Sequence, residues 1–93
     1  MARLPPDVLP YQRTPTFTEE TVPAGLTSRH STKAGVWGVV TVEAGRLFLF
    51  RLAGDVQDSE LLVPGETGVV APEEPHRVEA DGPVAFHVVF HRA

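Results

Sequence analysis

Residues 35–52 read GVWGVVTVEAGRLFLFRL, and this stretch decides the fold. Its two halves, Gly35–Val42 and Arg46–Leu52, are rich in β-branched and aromatic residues. Such side chains lose freedom in a helix and pack well on a pleated surface. Neither half keeps an apolar spacing of three and four for more than a turn. The EAGR between them, Glu43–Arg46, holds a glycine that supplies a tight turn. Outward from this pair come Glu60–Val63, Gly68–Ala71, His76–Glu79 and Val84–Phe90, punctuated by AGDVQD, VPGE, PEEP and ADGP. Short strands at about 8–12-residue spacing with Gly/Pro punctuation predict an all-β sandwich or barrel. An α/β fold is excluded.

The Arg46–Leu52 run is apolar at both parities through Leu47, Phe48, Leu49 and Phe50, so both faces of that strand are expected to be covered. Two covers are available: the N-terminal segment and a second copy of the chain. Residues 1–23 hold five of the nine prolines. They also carry Leu4, Val8, Leu9, Tyr11 and Phe17, too apolar a set for a free tail. The expectation is an extended arm packed on the outside of the barrel.

With 93 residues the chain forms one domain, residues 1–93, because two pieces would each be too small to bury a core. It has no cysteine, which excludes a disulfide scaffold, thiolate metal sites and cysteine nucleophiles. Lys+Arg number 8 against Asp+Glu 12, for a net charge of −4, and no basic run occurs. Nucleic-acid binding relies on clustered cations and is not expected. The longest apolar runs are about five residues, against the roughly 20 that a membrane helix needs. Neither a signal peptide nor a membrane span is read, and a cytoplasmic protein is expected.

Chemistry falls to four histidines: His30, His76, His87 and His91. His87 and His91 lie four apart on one strand, which separates their Cα atoms by about 13 Å. Those two are poor partners for a single metal. If Phe86, Val88 and Phe90 face the core, His87 and His91 face out. His76 differs, because a glycine turn, a short apolar strand and a Pro-bounded loop run directly into it.

That last string, Pro64–Val78, resembles the second motif of the cupin superfamily, whose histidine points into the barrel. VEAGRL resembles the end of the first motif. The chain as a whole resembles the TehB/YeaR-like domain family, small cupins associated with tellurite resistance and with nitrate or nitrosative stress. The likeness runs through LPPDVLPYQRTPTFTEETVPAGLTSRHSTKAGVWG, VEAGRLFLF, PGETGVVAPEEPHRVEA and VAFHVVF. It implies a small cupin-type jelly-roll β-barrel with an extended arm. Metal-binding cupins carry two histidines and a glutamate in the first motif, and counting back from Gly45 puts these at Ser31, Lys33 and Gly38. Those ligands are missing, while His76 matches directly and His30 replaces one lost histidine after a one-residue shift. The methyl transfer associated with the TehB name belongs to a separate domain, and no Gly-rich strand–loop–helix motif occurs here.

The site expected on these grounds is one divalent metal (Zn, Fe, Ni or Cu) held by His30 and His76, with a third donor from His87 or a carboxylate. The alternative is a pair of pocket histidines that bind an anion or nothing. Lys33, Trp37 and Glu74 are the further pocket candidates. The expected function is a stress-related module binding a small molecule, oxyanion or metal. A metal-dependent enzyme and an interaction domain with a vestigial cavity are the alternatives. A homodimer is expected from the doubly apolar strand and the short chain.

Overall fold

In a computed structural model, which describes residues 3–52 and 58–93, the β-branched runs do form strands, but they join into fewer and longer ones. The elements are β1 (Leu9–Arg13), β2 (Phe17–Thr18), α1 (Ala24–Thr27), β3 (Trp37–Arg51), β4 (Asp58–Leu62), β5 (Thr67–Val70) and β6 (His76–Arg92). Among the described residues the chain is all-β apart from the single turn of α1. All pairings are antiparallel, in the order β1-β6-β3-β4, with β2 also on β6 and β5 also on β3. The path is open: among the described residues no pairing joins β4 to β1. A closed barrel is therefore not what these pairings make. Most of the AGDVQD turn lies outside the described residues.

Two predicted turns are bends inside strands. EAGR lies within β3 and ADGP within β6, and the β3–β6 ladder continues across both, from Trp37↔His91 to Arg51↔His76. The register shifts between Val42 and Ala44 and again between Gly45 and Leu47. Gly45 and Gly82 both take positive φ, at 78° and 77°, a conformation open to glycine at no steric cost. A bulge bends a strand and adds an unpaired residue. The parity of burial accordingly changes across the bend. Gly38, Val40 and Val42 are buried before it, and Leu47, Leu49 and Arg51 after it.

The bent ribbon encloses one core. Leu49 and Phe86 are fully buried, with Val40, Val42, Leu47, Leu62 and Val70 beside them. Gly38 and Gly68 let strands approach closely: a Cβ on Gly68 would sit 2.6 Å from Leu49 Cδ2.

The arm packs on β6, as β1 against Leu9↔Arg92 through Arg13↔Val89 and as β2 against Phe17↔Phe86. Thr14 fastens it, its N–H donating to Val88 O at 2.9 Å and its hydroxyl accepting from Val88 N at 3.0 Å. The arm thus covers the Val84–Arg92 half of the ribbon. It does not cover the outer face of Phe48 and Phe50, contrary to the expectation. Those two rings stack on each other at 5.8 Å, with the Arg77 guanidinium 4.2 Å from the Phe50 centroid.

Candidate functional site

α1 ends at Ser28, whose N–H and hydroxyl both donate to Ala24 O. From there the chain runs extended and meets the start of β6 at one point. His30 N donates to His76 O at 3.0 Å and His76 N to His30 O at 2.8 Å, an isolated antiparallel bridge. The two imidazoles follow their backbones together, with centroids 4.2 Å apart in an edge-to-face arrangement.

Each ring is oriented in the same way. His30 Nδ1 lies 2.8 Å from Ser28 O, and His76 Nδ1 lies 2.8 Å from Glu74 O. A carbonyl only accepts, so Nδ1 carries the proton in both rings. In the neutral ring Nε2 then bears the free lone pair. Among the described residues neither Nε2 has a protein partner. The His76 side chain is held below its ordinary value of 6.5, chiefly because burial disfavours the charged ring, with His30 and Arg51 adding repulsion. The Glu74 carbonyl bond opposes this. His76 is therefore a neutral acceptor at pH 7.

The pair lines a cavity of about 290 Å³. Its walls are apolar, from Val40, Val70, Val78, Phe86 and Val88, while Thr32 and Lys33 supply polar groups. The arm contributes Tyr11, Gln12 and Thr14. Thr32 Oγ1 donates to Val36 O at 2.7 Å and also reaches Ala71 O, and Glu73 N donates to Thr32 O. This ties the pocket loop to the Pro72–Pro75 turn that leads into His76. An outer hollow shares Tyr11, Gln12, Lys33 and Val36 with the cavity and adds Arg92.

Of the residues singled out in the sequence, His30, His76 and Lys33 come together around the cavity. Three others do not. His87 points to the opposite face of β6, as the neighbour of inward-facing Phe86 and Val88, and its Nδ1 lies 2.7 Å from Glu43 Oε2. It is not a third donor for the pair. Trp37 precedes inward-facing Gly38 and so turns outward, lining neither hollow. Glu74 acts from behind: its carbonyl orients His76, while its carboxylate accepts from Ala71 N at 3.3 Å and sits 3.7 Å from Arg51 Nε.

Glu43, read from the sequence as a turn residue, anchors the arm. Its Oε2 accepts from Thr16 Oγ1 and His87 Nδ1, each at 2.7 Å, and Arg13 lies 3.6 Å away. The bonds from Thr16 and His87 hold the Glu43 carboxyl below its usual range. Arg51 is the other unexpected group. It is buried beside His76 in register, paired with Asp58 and Glu60, and donates to Val69 O at 2.7 Å. Its inward position continues the parity of Leu47 and Leu49, and that continuation was the signal available in the sequence.

Among the described residues no group of three or more His, Asp or Glu is placed to hold a metal ion. Two imidazoles without a carboxylate fall short of the three protein ligands of a catalytic zinc centre. Among the described residues the pair has no third protein donor beside it. No helix of the described residues is long and apolar enough to cross a membrane.

Residues 12–88 match the model of the TehB-like domain. Two curated relatives are 34% and 32% identical over 77 residues, 80% of this chain. Both carry the name probable S-adenosyl-L-methionine-dependent methyltransferase TehB and come from two strains of Haemophilus influenzae. The chain spans only 27% of each relative's length. The crystal structure of TehB from Haemophilus influenzae superposes with a TM-score of 0.85 at 30% identity, covering 94% of this chain and 32% of that one. A crystal structure of a protein from E. coli strain K12 gives 0.86 at 27% identity, covering 100% of this chain and 98% of that one. Among the described residues the one helix is the single turn Ala24–Thr27, and no Gly-rich loop joins a strand to a helix.

Proposed function

The chain belongs to the TehB-like domain family, and on that premise we propose that it is a small-ligand-binding module built on an opened cupin-type jelly roll. The observation that carries the reading is the matched pair His30 and His76. Each imidazole commits its Nδ1 to a backbone carbonyl, which leaves two Nε2 atoms without a protein partner on residues that line a largely apolar cavity. Pockets of this kind bind by apolar burial, and a few placed polar groups set the orientation. The ligand that fits has an apolar body and an O–H or N–H to donate. The stress association, tellurite or nitrosative, comes with the family resemblance and forms part of the proposal. So does a homodimer, for which the stacked Phe48 and Phe50 and the exposed Leu61 offer an outer apolar face.

Amide and imidazole NMR titration with phenol and with cyclohexanol tests the reading. Both probes are expected to shift Val40, Val70 and the two imidazoles, and His76→Gln to weaken that response. Silence of these signals toward both probes overturns it.

A second reading has one observation in its favour. Metal-ligating histidines usually donate their other nitrogen to a carbonyl or carboxylate, as both rings do here. Zn, Fe, Ni or Cu would then sit on two Nε2 atoms, with exogenous ligands completing the shell. Near-stoichiometric metal in tag-free protein, lost in both His30→Ala and His76→Ala, supports this reading. Metal-free protein that takes up none of the four ions on titration removes it.

A further inference from the structure

The charges around the cavity are sorted by sign. The chain carries 12 acidic residues against 8 cationic ones, yet no Asp or Glu among the described residues lines the inner cavity or the outer hollow. Lys33 lines both spaces and Arg92 lines the outer one. Four of the other cations are matched, Arg13 with Glu43, Arg46 with Asp81, Arg51 with three carboxylates and Arg77 with Glu79, while Arg3 and Arg29 have no carboxylate partner among the described residues and line neither space. Among the described residues Lys33 and Arg92 have no carboxylate partner. The Arg92 guanidinium lies over the Tyr11 ring at 4.0 Å, which leaves its N–H edges uncommitted. The histidine pair shows the same segregation, since the one carboxylate bonded to an imidazole serves His87 on the other face. In a protein of net negative charge, a hollow lined by no Asp or Glu side chain and by two cations without a carboxylate partner favours anions over cations.

The cavity also sets a size. A volume of about 290 Å³ holds on the order of ten heavy atoms, taking about 30 Å³ for each water-sized group. Its lining combines the apolar Val40, Val70, Val78, Phe86 and Val88 with the histidine pair and Lys33.

We propose that the ligand is a compact amphipathic carboxylate, its anion at Lys33 and Arg92, its apolar body against Val40, Val70 and Val88, and a hydroxyl donating to the His30–His76 pair. The inference rests on the ligand-pocket reading above and adds the charge and polarity of the ligand. 4-Hydroxybenzoate has the three parts in the required order. Phenol lacks the anion, benzoate lacks the donor, and tyramine carries a cation in place of the anion.

NMR titration of the full chain with these four probes, at low and at moderate salt, tests the assignment. 4-Hydroxybenzoate is expected to bind at least about fivefold tighter than phenol, benzoate or tyramine, and to lose that margin as salt rises. Lys33→Glu, at an exposed position, is expected to remove the preference for 4-hydroxybenzoate over phenol. Arg92→Gln reduces it partly. If phenol and tyramine bind as well as the carboxylate, and Lys33→Glu changes nothing, this inference is overturned and the apolar pocket stands. If none of the four probes shifts the Val40, Val70 or imidazole signals, the pocket reading falls and this inference falls with it.

Discussion

His30 and His76 exchange both backbone hydrogen bonds, at 3.0 and 2.8 Å, although 45 positions separate them in the chain. The bridge places two rings of identical tautomer side by side, and His76 is only 4% exposed. A ring held there in the neutral form links folding to pH. The folded chain keeps the His76 pKa below 6.5, so the unfolded chain takes up the proton first as pH falls. The stabilisation is complete above about pH 6.5 and is lost as pH drops through the depressed folded value. Chemical denaturation between about pH 8 and 5 is expected to show this decline, and His76→Gln to flatten it.

The Gly45 bend admits no side chain. A Cβ there would lie 2.9 Å from Val84 Cα and closer still to the Pro83 carbonyl oxygen, at a φ of +78°. Both obstacles are backbone and cannot rotate away. Gly45→Ala is expected to cost about 3 kcal/mol in urea unfolding, from overpacking and positive-φ strain together. Gly82→Ala, with nothing within 4 Å of the added carbon, is expected to cost about 1 kcal/mol from φ alone.

Arg51 is the cation that three carboxylates share at the inner end of β3. Its Nη2 lies 3.0 Å from Glu60, Nη1 3.4 Å from Asp58, and Nε 3.7 Å from Glu74. Arg51→Met is expected to destabilise the fold by about 3 kcal/mol, because removing one partner strands the others. It also frees the Glu74 turn behind His76, so the His76 ring resonances should broaden or shift even at pH 8.

The arm is strapped down by Glu43, which accepts from Thr16 on the arm and His87 on β6. Glu43→Gln removes the charge and gives Thr16 and His87 a weaker, uncharged amide acceptor in place of the carboxylate. Faster hydrogen exchange at the Thr14 and Val88 amides is the expected outcome, with core amides such as Leu49 unchanged. Protonation of Glu43 does the same in acid. Its folded pKa is depressed, so the strap holds above the ordinary carboxylate range and loosens as pH falls through the folded value.

The all-β class was legible because strands are written locally. β-branched residues, alternation and turn residues act over a few positions, and Val84–Phe90 shows its buried and outward faces without any partner. Gly45 and Gly82 were harder. A glycine at positive φ closes a hairpin or kinks a continuing strand with equal ease, and the difference lies in whether the paired strand bends alongside it. Trp37 and Glu74 were misplaced for a related reason: proximity in sequence to a pocket residue does not say which face a side chain takes.

From sequence alone the chain determined its all-β class and its apolar arm, both of which rest on residue type and short spacing. Only the tertiary structure decided that His30 meets His76, that His87 serves Glu43 instead, and that Lys33 and Arg92 flank one opening. Those relationships join segments tens of residues apart, and they depend on the β3–β6 register after its bulges. A shift of one residue would send His76, His87 and Arg92 to the other face of β6.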